Sequence, residues 1–259
     1  MTPEAEEEAP VVATTFRDVV VIGGGCYGTF YAGQLHEARA RGKADFRSVL
    51  VVDRDPACQA VREGRLGERV ELVVADWSAF LDAFLERPAP GPGQPDDAIV
   101  PSPLMPHLMA QWLERTASRL APSRHPRPVP AERPLGTPYD VLAPDGTRYV
   151  SFADWLCPTH CIEPAICPVI RAPRTWEMGD ALEHYVQRAD RRRPTLGPAL
   201  FVTRHRAFGV GMFDVAEARA ARAVVEQAVA RPDPVEVVVA TISSCHGAVG
   251  VLRFDPATG

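Results

Sequence analysis

The sequence predicts an α/β fold, a doubly wound and mostly parallel sheet interrupted by an insertion rich in proline and cysteine. Three observations carry this expectation. Short apolar runs ending in glycine or aspartate alternate with helix-period segments over residues 17–120. The alternation stops at a proline-rich stretch and resumes at Ala199. Between the two lies a segment with three cysteines and a histidine within 11 residues. The 259 residues, 46% hydrophobic and 24% charged, suffice for one large domain with an inserted subdomain, and for a core that needs no disulfides.

The elements follow in order. Arg17-Asp18-Val19-Val20-Val21-Ile22 reads as a buried parallel strand. A helix runs from Gly28 to about Ala40, with Tyr31, Leu35 and Ala38 on one face. Ser48 to Asp53 is a second buried strand and Pro56 to Glu63 a short helix. Val70 to Ala75 is a third strand, and Trp77 to Glu86 the next helix. Ala98-Ile99-Val100 is a fourth strand, followed by a helix from Leu104 to Leu120. Prolines from Pro88 to Pro138 break regular structure. Tyr139 to Phe152 reads as a hairpin turning at Pro144-Asp145-Gly146. A helix is expected over 179–190, a strand over 199–203, a helix over 214–230, and strands over 235–242 and 249–254. This divides the chain into an acidic disordered tail (1–15), a dinucleotide-binding Rossmann-type half (16–120), an insertion (121–196) and a C-terminal half completing the sheet (197–259).

The net charge of −5 gives no global attraction to nucleic acid or anionic membranes. No apolar run approaches a membrane span. Met1 to Pro10 is acidic, the opposite of a signal peptide, so a cytoplasmic protein is expected. Six cysteines without a secretion signal point to a reducing compartment, where thiols are buried, catalytic or metal-binding rather than paired.

Gly23-Gly24-Gly25-Cys26-Tyr27-Gly28 follows the first strand and opens a helix. In such a loop the first glycine permits a tight turn and the second lets backbone approach a pyrophosphate. The third lets helix and strand lie close, and the helix N-terminus faces the phosphates. Asp53 ends the second strand, where a carboxylate accepts both ribose hydroxyls and favours NAD over NADP. Arg54 beside it weakens that preference, because an arginine accepts a 2′-phosphate.

The runs VVVIGGGCYG, VLVVDRDPACQAV, VELVVADWSAFL and DDAIV, within residues 18–110, resemble the nucleotide-binding domains of potassium-transport regulators of the TrkA type. The resemblance implies NAD(H) held by Gly23, Gly25, Gly28 and Asp53, with Asp76 near the adenine side. It covers about a third of the chain and does not extend past Ala110, so it implies nothing about potassium. A SAM-dependent methyltransferase would match the same loop with Asp53 and Asp76, but the first strand of this chain ends directly in three glycines without the acidic residue usual before them in that class.

Cys157-Pro-Thr-His160-Cys161-Ile-Glu163-Pro-Ala-Ile-Cys167-Pro168 is unlike anything in the alternating pattern. Three thiolates on a proline-stiffened loop suit zinc or a [4Fe–4S] cluster, with Cys245 as fourth ligand and His160 or His246 as alternates. The competing reading is a loop of buried free thiols. His107, after the fourth strand, is the candidate general acid or base; His205 and Arg206 are candidates for holding an anionic group. The expected function is an NAD(H)-binding redox protein, an oxidoreductase with a cysteine-ligated metal centre and a small-molecule or protein redox partner, possible as a homodimer. The alternatives are a non-catalytic NAD-binding regulator with a structural metal knuckle, and the methyltransferase.

Overall fold

The computed structural model describes residues 13–124, 126–153, 161–189 and 194–256. The apolar runs form strands where the sequence places them. β1 (Thr14–Ile22) pairs in parallel with β2 (Ala44–Asp53) on one side and β4 (Ala98–Val100) on the other, and β2 pairs in parallel with β3 (Val70–Val74). The next neighbour of β4 breaks the pattern. β9 (Arg204–Ala207) and β10 (Val210–Asp214) form an antiparallel hairpin, and β10 runs antiparallel to β4. The first sheet therefore has the order β3-β2-β1-β4-β10-β9.

A second six-stranded sheet holds the remaining strands. β8 (Thr195–Val202) and β11 (Val235–Ile242) are parallel, whereas β11 and β12 (His246–Phe254) form an antiparallel hairpin. β12 also pairs antiparallel with β7 (Arg148–Ser151) and β5 (Arg127–Val129), and β7 with β6 (Tyr139–Leu142).

The expectation of one doubly wound, mostly parallel sheet is thus wrong: the chain has two mixed sheets. The physical reason is the β9–β10 hairpin, which the sequence reading treats as a loop. Its turn, Phe208-Gly209, has positive φ at both residues, +43° and +78°, the geometry of a tight hairpin turn. The hairpin takes the edge of β4 that the later strands would have needed. β8, β11 and β12 then build on the 139–151 hairpin and β5 instead.

Helices fill the space between and outside the sheets. α1 (Cys26–Ala40) and α2 (Gln59–Arg62) cover the outer face of the first sheet, where Val19, Val21, Val49, Val51 and Leu35 are buried together. α3 (Trp77–Phe84), α4 (Leu108–Leu120) and α6 (Val215–Val229) lie between the sheets, with Val20 and Ile22 on one side and Val237 and Val239 on the other. α5 (Met178–Gln187) covers the outer face of the second sheet over Val238 and Ala240. Alternate residues of β1 and of β11 thus enter different cores, because successive strand side chains point to opposite faces. Phe201 joins the two sheets through edge-on contacts with Phe213 (5.4 Å) and Trp112 (6.4 Å). One core joins both sheets.

Candidate functional site

The glycine turn is built as the chain requires. Gly23 has φ +89°, and its N–H donates to Val52 O at 2.8 Å. A Cβ on Gly28 would lie 1.7 Å from Gly23 O, so only glycine lets α1 start this close to β1. Gly24 is fixed differently, since a Cβ there would lie 2.4 Å from Cys58 Sγ. Gly25 is the exception. It has ordinary extended backbone (φ −75°, ψ −159°), and a Cβ there would meet nothing within 4 Å. Cys26 is exposed at the first turn of α1, and no side chain caps that N-terminus.

The acidic residues serve the loops around it. Asp53 accepts from Gly24 N at 2.6 Å and from Asp55 N at 2.9 Å, so it fastens the glycine turn to the end of β2. Asp76 is the N-cap of α3, accepting from Ser78 N (2.9 Å) and Ala79 N (3.0 Å). Those backbone hydrogen bonds, Ala79's first, hold its carboxyl below the ordinary range, and its ion pair with Arg54 acts the same way. Arg54 also lies over the Trp77 ring.

A cavity of about 640 Å³ opens where the two sheets meet. α1 contributes Tyr27 and Tyr31, the segment after β4 contributes residues 101–104, and β9 contributes His205. The β11–β12 turn contributes Ser243, Cys245 and His246, and β7 contributes Tyr149. Cys161, Glu163, Cys167 and Arg174 close the remaining wall. The cavity thus joins the glycine turn's helix to the cysteine segment, two regions more than 120 residues apart in sequence.

Within this wall the thiols have separate partners. Trp176 Nε1 donates to Cys245 Sγ at 3.3 Å, Glu163 N donates to Cys161 Sγ at 3.4 Å, and Cys167 is buried. Among the described residues no three His, Cys, Asp or Glu side chains form a group able to hold a metal ion. Cys157 and His160 lie outside the described residues. Burial pushes the Cys245 thiol up. Glu163, at φ +55°, accepts from Cys245 N (3.1 Å) and Ser244 N (3.4 Å), tying the cysteine segment to the β11–β12 turn. Burial pushes the His246 imidazole down, and its Nδ1 lies 3.4 Å from Ser243 Oγ. His205 Nδ1 is 2.9 Å from Gly209 O, across the hairpin turn; Arg206 is paired with Asp214 instead of facing a ligand.

His107 precedes α4 and lies between that helix and the second sheet. Its Nδ1 is 3.1 Å from Thr147 Oγ1, and its Nε2 is 3.2 Å from Tyr149 Oη and 3.4 Å from Asp145 Oδ2. The sequence reading found His107, His205, Cys161, Cys167, Cys245 and His246 but missed Tyr149, Glu163 and Arg174. Tyr149 alternates with buried residues along a short strand and reads there as core. Glu163 sits inside the cysteine motif, where attention falls on sulfur.

No helix among the described residues is long and apolar enough to cross a membrane. Residues 109–255, more than half of the chain, match the family model described as "Uncharacterized protein, C-terminal domain", and the chain belongs to that family. The match begins where the resemblance to the TrkA-type domains stops. No curated protein and no solved structure matches the chain.

Proposed function

We propose that this member of the family binds NAD(H) on the glycine turn and performs redox chemistry on a small molecule in the cavity between the two sheets. The observation that carries the reading is the contrast within the turn. Gly23, Gly24 and Gly28 are each required by the protein's own atoms, whereas Gly25 faces open space before the N-terminus of α1. Gly67, Gly91 and Gly250 are equally open; what sets Gly25 apart is its place in a glycine turn at the start of a helix, where a ligand's approach accounts for it. Free N–H groups at a helix start favour an anion there, and a pyrophosphate fits that preference.

The surrounding residues fit a dinucleotide. The carboxylate oxygens of Asp53 each accept one backbone N–H and retain a lone pair for ribose hydroxyls. Arg54 is engaged by Asp76 and Trp77, which leaves Asp53 as the group that selects against a 2′-phosphate. Tyr27, in the first turn of α1, lines the cavity, so a ligand lying along the turn reaches it. When bound, the nicotinamide supplies or accepts a hydride; the chain's part is to orient the partner molecule and to move a proton.

Gly25→Val tests the reading directly. A Cβ at Gly25 meets nothing within 4 Å, so the variant should fold, with a loss of about 1 kcal/mol from the less favourable N-cap residue. NADH affinity, measured by titration calorimetry, should fall at least about 100-fold. The native protein should bind NADH more tightly than NADPH. A folded Gly25→Val variant with native NADH affinity sinks the assignment.

A further inference from the structure

We propose that the cavity interconverts a small oxo acid and its hydroxy acid, with His205 exchanging the proton of the reacting oxygen and Arg174 taking the carboxylate. This rests on the NAD(H) reading above.

His205 lies on β9 and lines the 640 Å³ cavity together with Tyr27 and Tyr31 of α1. Its Nδ1 is 2.9 Å from Gly209 O. A carbonyl oxygen only accepts, so Nδ1 carries a hydrogen and the neutral ring keeps its lone pair on Nε2. Among the described residues no other group hydrogen-bonds this ring. Room for it is made across the strand. Gly211 is the register partner of His205 on β10, and a Cβ there would lie 2.8 Å from Thr203 Cγ2 and 3.5 Å from His205 Cε1. The chain thus fixes the tautomer on one side of the ring and leaves the other nitrogen to a ligand.

Among the described residues Arg174 is the cavity's one arginine or lysine. Its backbone N donates to Ala165 O at 2.8 Å, which seats it on the cysteine segment. The chain uses its guanidinium incompletely. The ion pair with Glu163 is long, 3.8 Å, and beyond hydrogen-bond range. Nη1 is buried with no hydrogen-bond partner among the described residues. A further contact is with Cys245 Sγ, a weak acceptor. Glu163 itself is held by the backbone N–H groups of Ser244 and Cys245. A planar fork of donors so little engaged suits a carboxylate, which it binds through parallel hydrogen bonds.

The hairpin that takes the edge of β4 brings the two groups to one wall. A Cβ on Gly209, in the turn that holds His205, would lie 3.3 Å from Ile162 Cγ2, so this turn packs against the cysteine segment. Ile162 adjoins Glu163, the neighbour of Arg174. Besides burial, which lowers it most, the His246 imidazole feels Glu163 and His205 in opposite directions, so the three lie within electrostatic reach. The other polar groups of the cavity are engaged: Tyr149 Oη contacts His107 and His246 Nδ1 contacts Ser243, while burial pushes the Cys245 thiol up.

In the reducing direction Arg174 holds the carboxylate and so orients the carbonyl toward His205. The carbonyl carbon receives the hydride of NADH, and the C=O π pair moves to oxygen. That oxygen takes the Nε2 proton of protonated His205. The N–H electron pair stays on the ring, which is left neutral with its Nδ1–H still on Gly209 O. A proton from water restores the imidazolium. The products are the hydroxy acid and NAD⁺, and every step reverses for oxidation.

The test uses His205→Asn, Arg174→Gln and Arg174→Lys in the full chain. Asparagine still offers an N–H to Gly209 O, so the turn is kept while the Nε2 base is lost. The first readout needs no turnover. Oxamate, an unreactive carboxylate with an amide carbonyl, is titrated calorimetrically with and without NADH. It should bind the native chain, and Arg174→Gln should weaken it by about 10-fold or more, with Arg174→Lys between the two. The second readout is NADH-dependent turnover of glyoxylate, pyruvate and phenylpyruvate, each against its uncharged methyl ester. Native kcat/KM should favour the acids by about 100-fold, the worth of a bidentate pair of charge-assisted hydrogen bonds. Arg174→Gln should erase that preference, and His205→Asn should keep NADH affinity and lower kcat for acids and esters alike by about 100-fold. No oxamate binding, oxamate affinity unchanged in Arg174→Gln, equal use of acids and esters by the native chain, or native kcat in His205→Asn overturns the proposal. NADH binding without turnover of any acid overturns it too and leaves the dinucleotide reading standing; no NADH binding removes both.

Discussion

The glycine turn after β1 and the cysteine segment beyond β7 both concentrate residues that a reader of sequence associates with chemistry, and the fold treats them in opposite ways. In the turn, a positive φ at Gly23, the Cys58 side chain beside Gly24 and the Gly23 carbonyl beside Gly28 account for three glycines and leave Gly25 open. In the cysteine segment the side chains are satisfied one at a time: Cys161 by Glu163 N, Cys245 by Trp176 Nε1, and Glu163 by the β11–β12 turn. One region holds a space; the other closes a wall. A motif is informative about a ligand when the protein's own contacts fail to account for one of its members, and Gly25 meets that condition.

The comparison breaks most sharply at Gly28. Adding a methyl group puts carbon 1.7 Å from Gly23 O, a backbone atom that cannot rotate away. Gly28→Ala should therefore destabilise the fold by about 3 kcal/mol, at the upper end of overpacking costs, measured by urea denaturation. Gly25→Ala should cost about 1 kcal/mol or less in the same experiment, the preference for glycine over alanine at a helix N-cap. Equal costs at the two positions would show that the turn is uniformly packed and that Gly25 needs no outside explanation.

The cysteine segment offers a smaller effect. Cys245→Ala removes the acceptor of Trp176 Nε1 at a position only 6% exposed. A buried donor left without a partner costs about 1–3 kcal/mol, and because Trp176 is half-buried a loss near the bottom of that range is expected. Cys161→Ala, at a half-buried position, should cost less than Cys245→Ala. If the two cost the same and both release a bound metal on elemental analysis, the thiols act as a unit and the one-at-a-time picture fails.

Much of the fold was legible in the sequence as elements and little of it as topology. The apolar runs of β1, β4 and β11 announce themselves because both faces of these central strands are buried, which demands nearly continuous valine and isoleucine. Sheet partners are another matter. Strand alternation says that a sheet continues, not which edge is free. The hairpin that takes the edge of β4 has a first strand, Arg204-His205-Arg206-Ala207, with little apolar character and a turn, Phe208-Gly209, weaker than Asn-Gly. The site divides the same way. Gly23 and Gly28 follow from local geometry, whereas Tyr149 depends on which strand β7 pairs with, a fact no local pattern encodes.

The smallest effect is a pH dependence centred on His246, in the turn that joins the cysteine segment to β12. Burial lowers its pKa most, His205 acts in the same direction, and Glu163 opposes them without prevailing. The folded chain therefore binds this proton less readily than the unfolded chain, whose histidines titrate near about 6.5. Above that pH both states are neutral at this position and the group adds nothing to the pH slope. As the pH falls through about 6.5 the unfolded state takes up a proton that the folded state refuses, and stability declines until the folded pKa is reached, by at most about 1.4 kcal/mol per pH unit. Asp76, Asp97 and Asp145 have lowered pKa values, so they lose stabilisation only below the ordinary carboxylate range, near about pH 4. The window from about pH 6.5 to 5 thus belongs to histidine. His246→Gln should flatten the stability profile there, read from urea midpoints at closely spaced pH values. A variant that keeps the wild-type slope would mean that His246 is protonated within the folded protein. The β11–β12 turn would then carry positive charge beside Glu163 instead of a neutral imidazole.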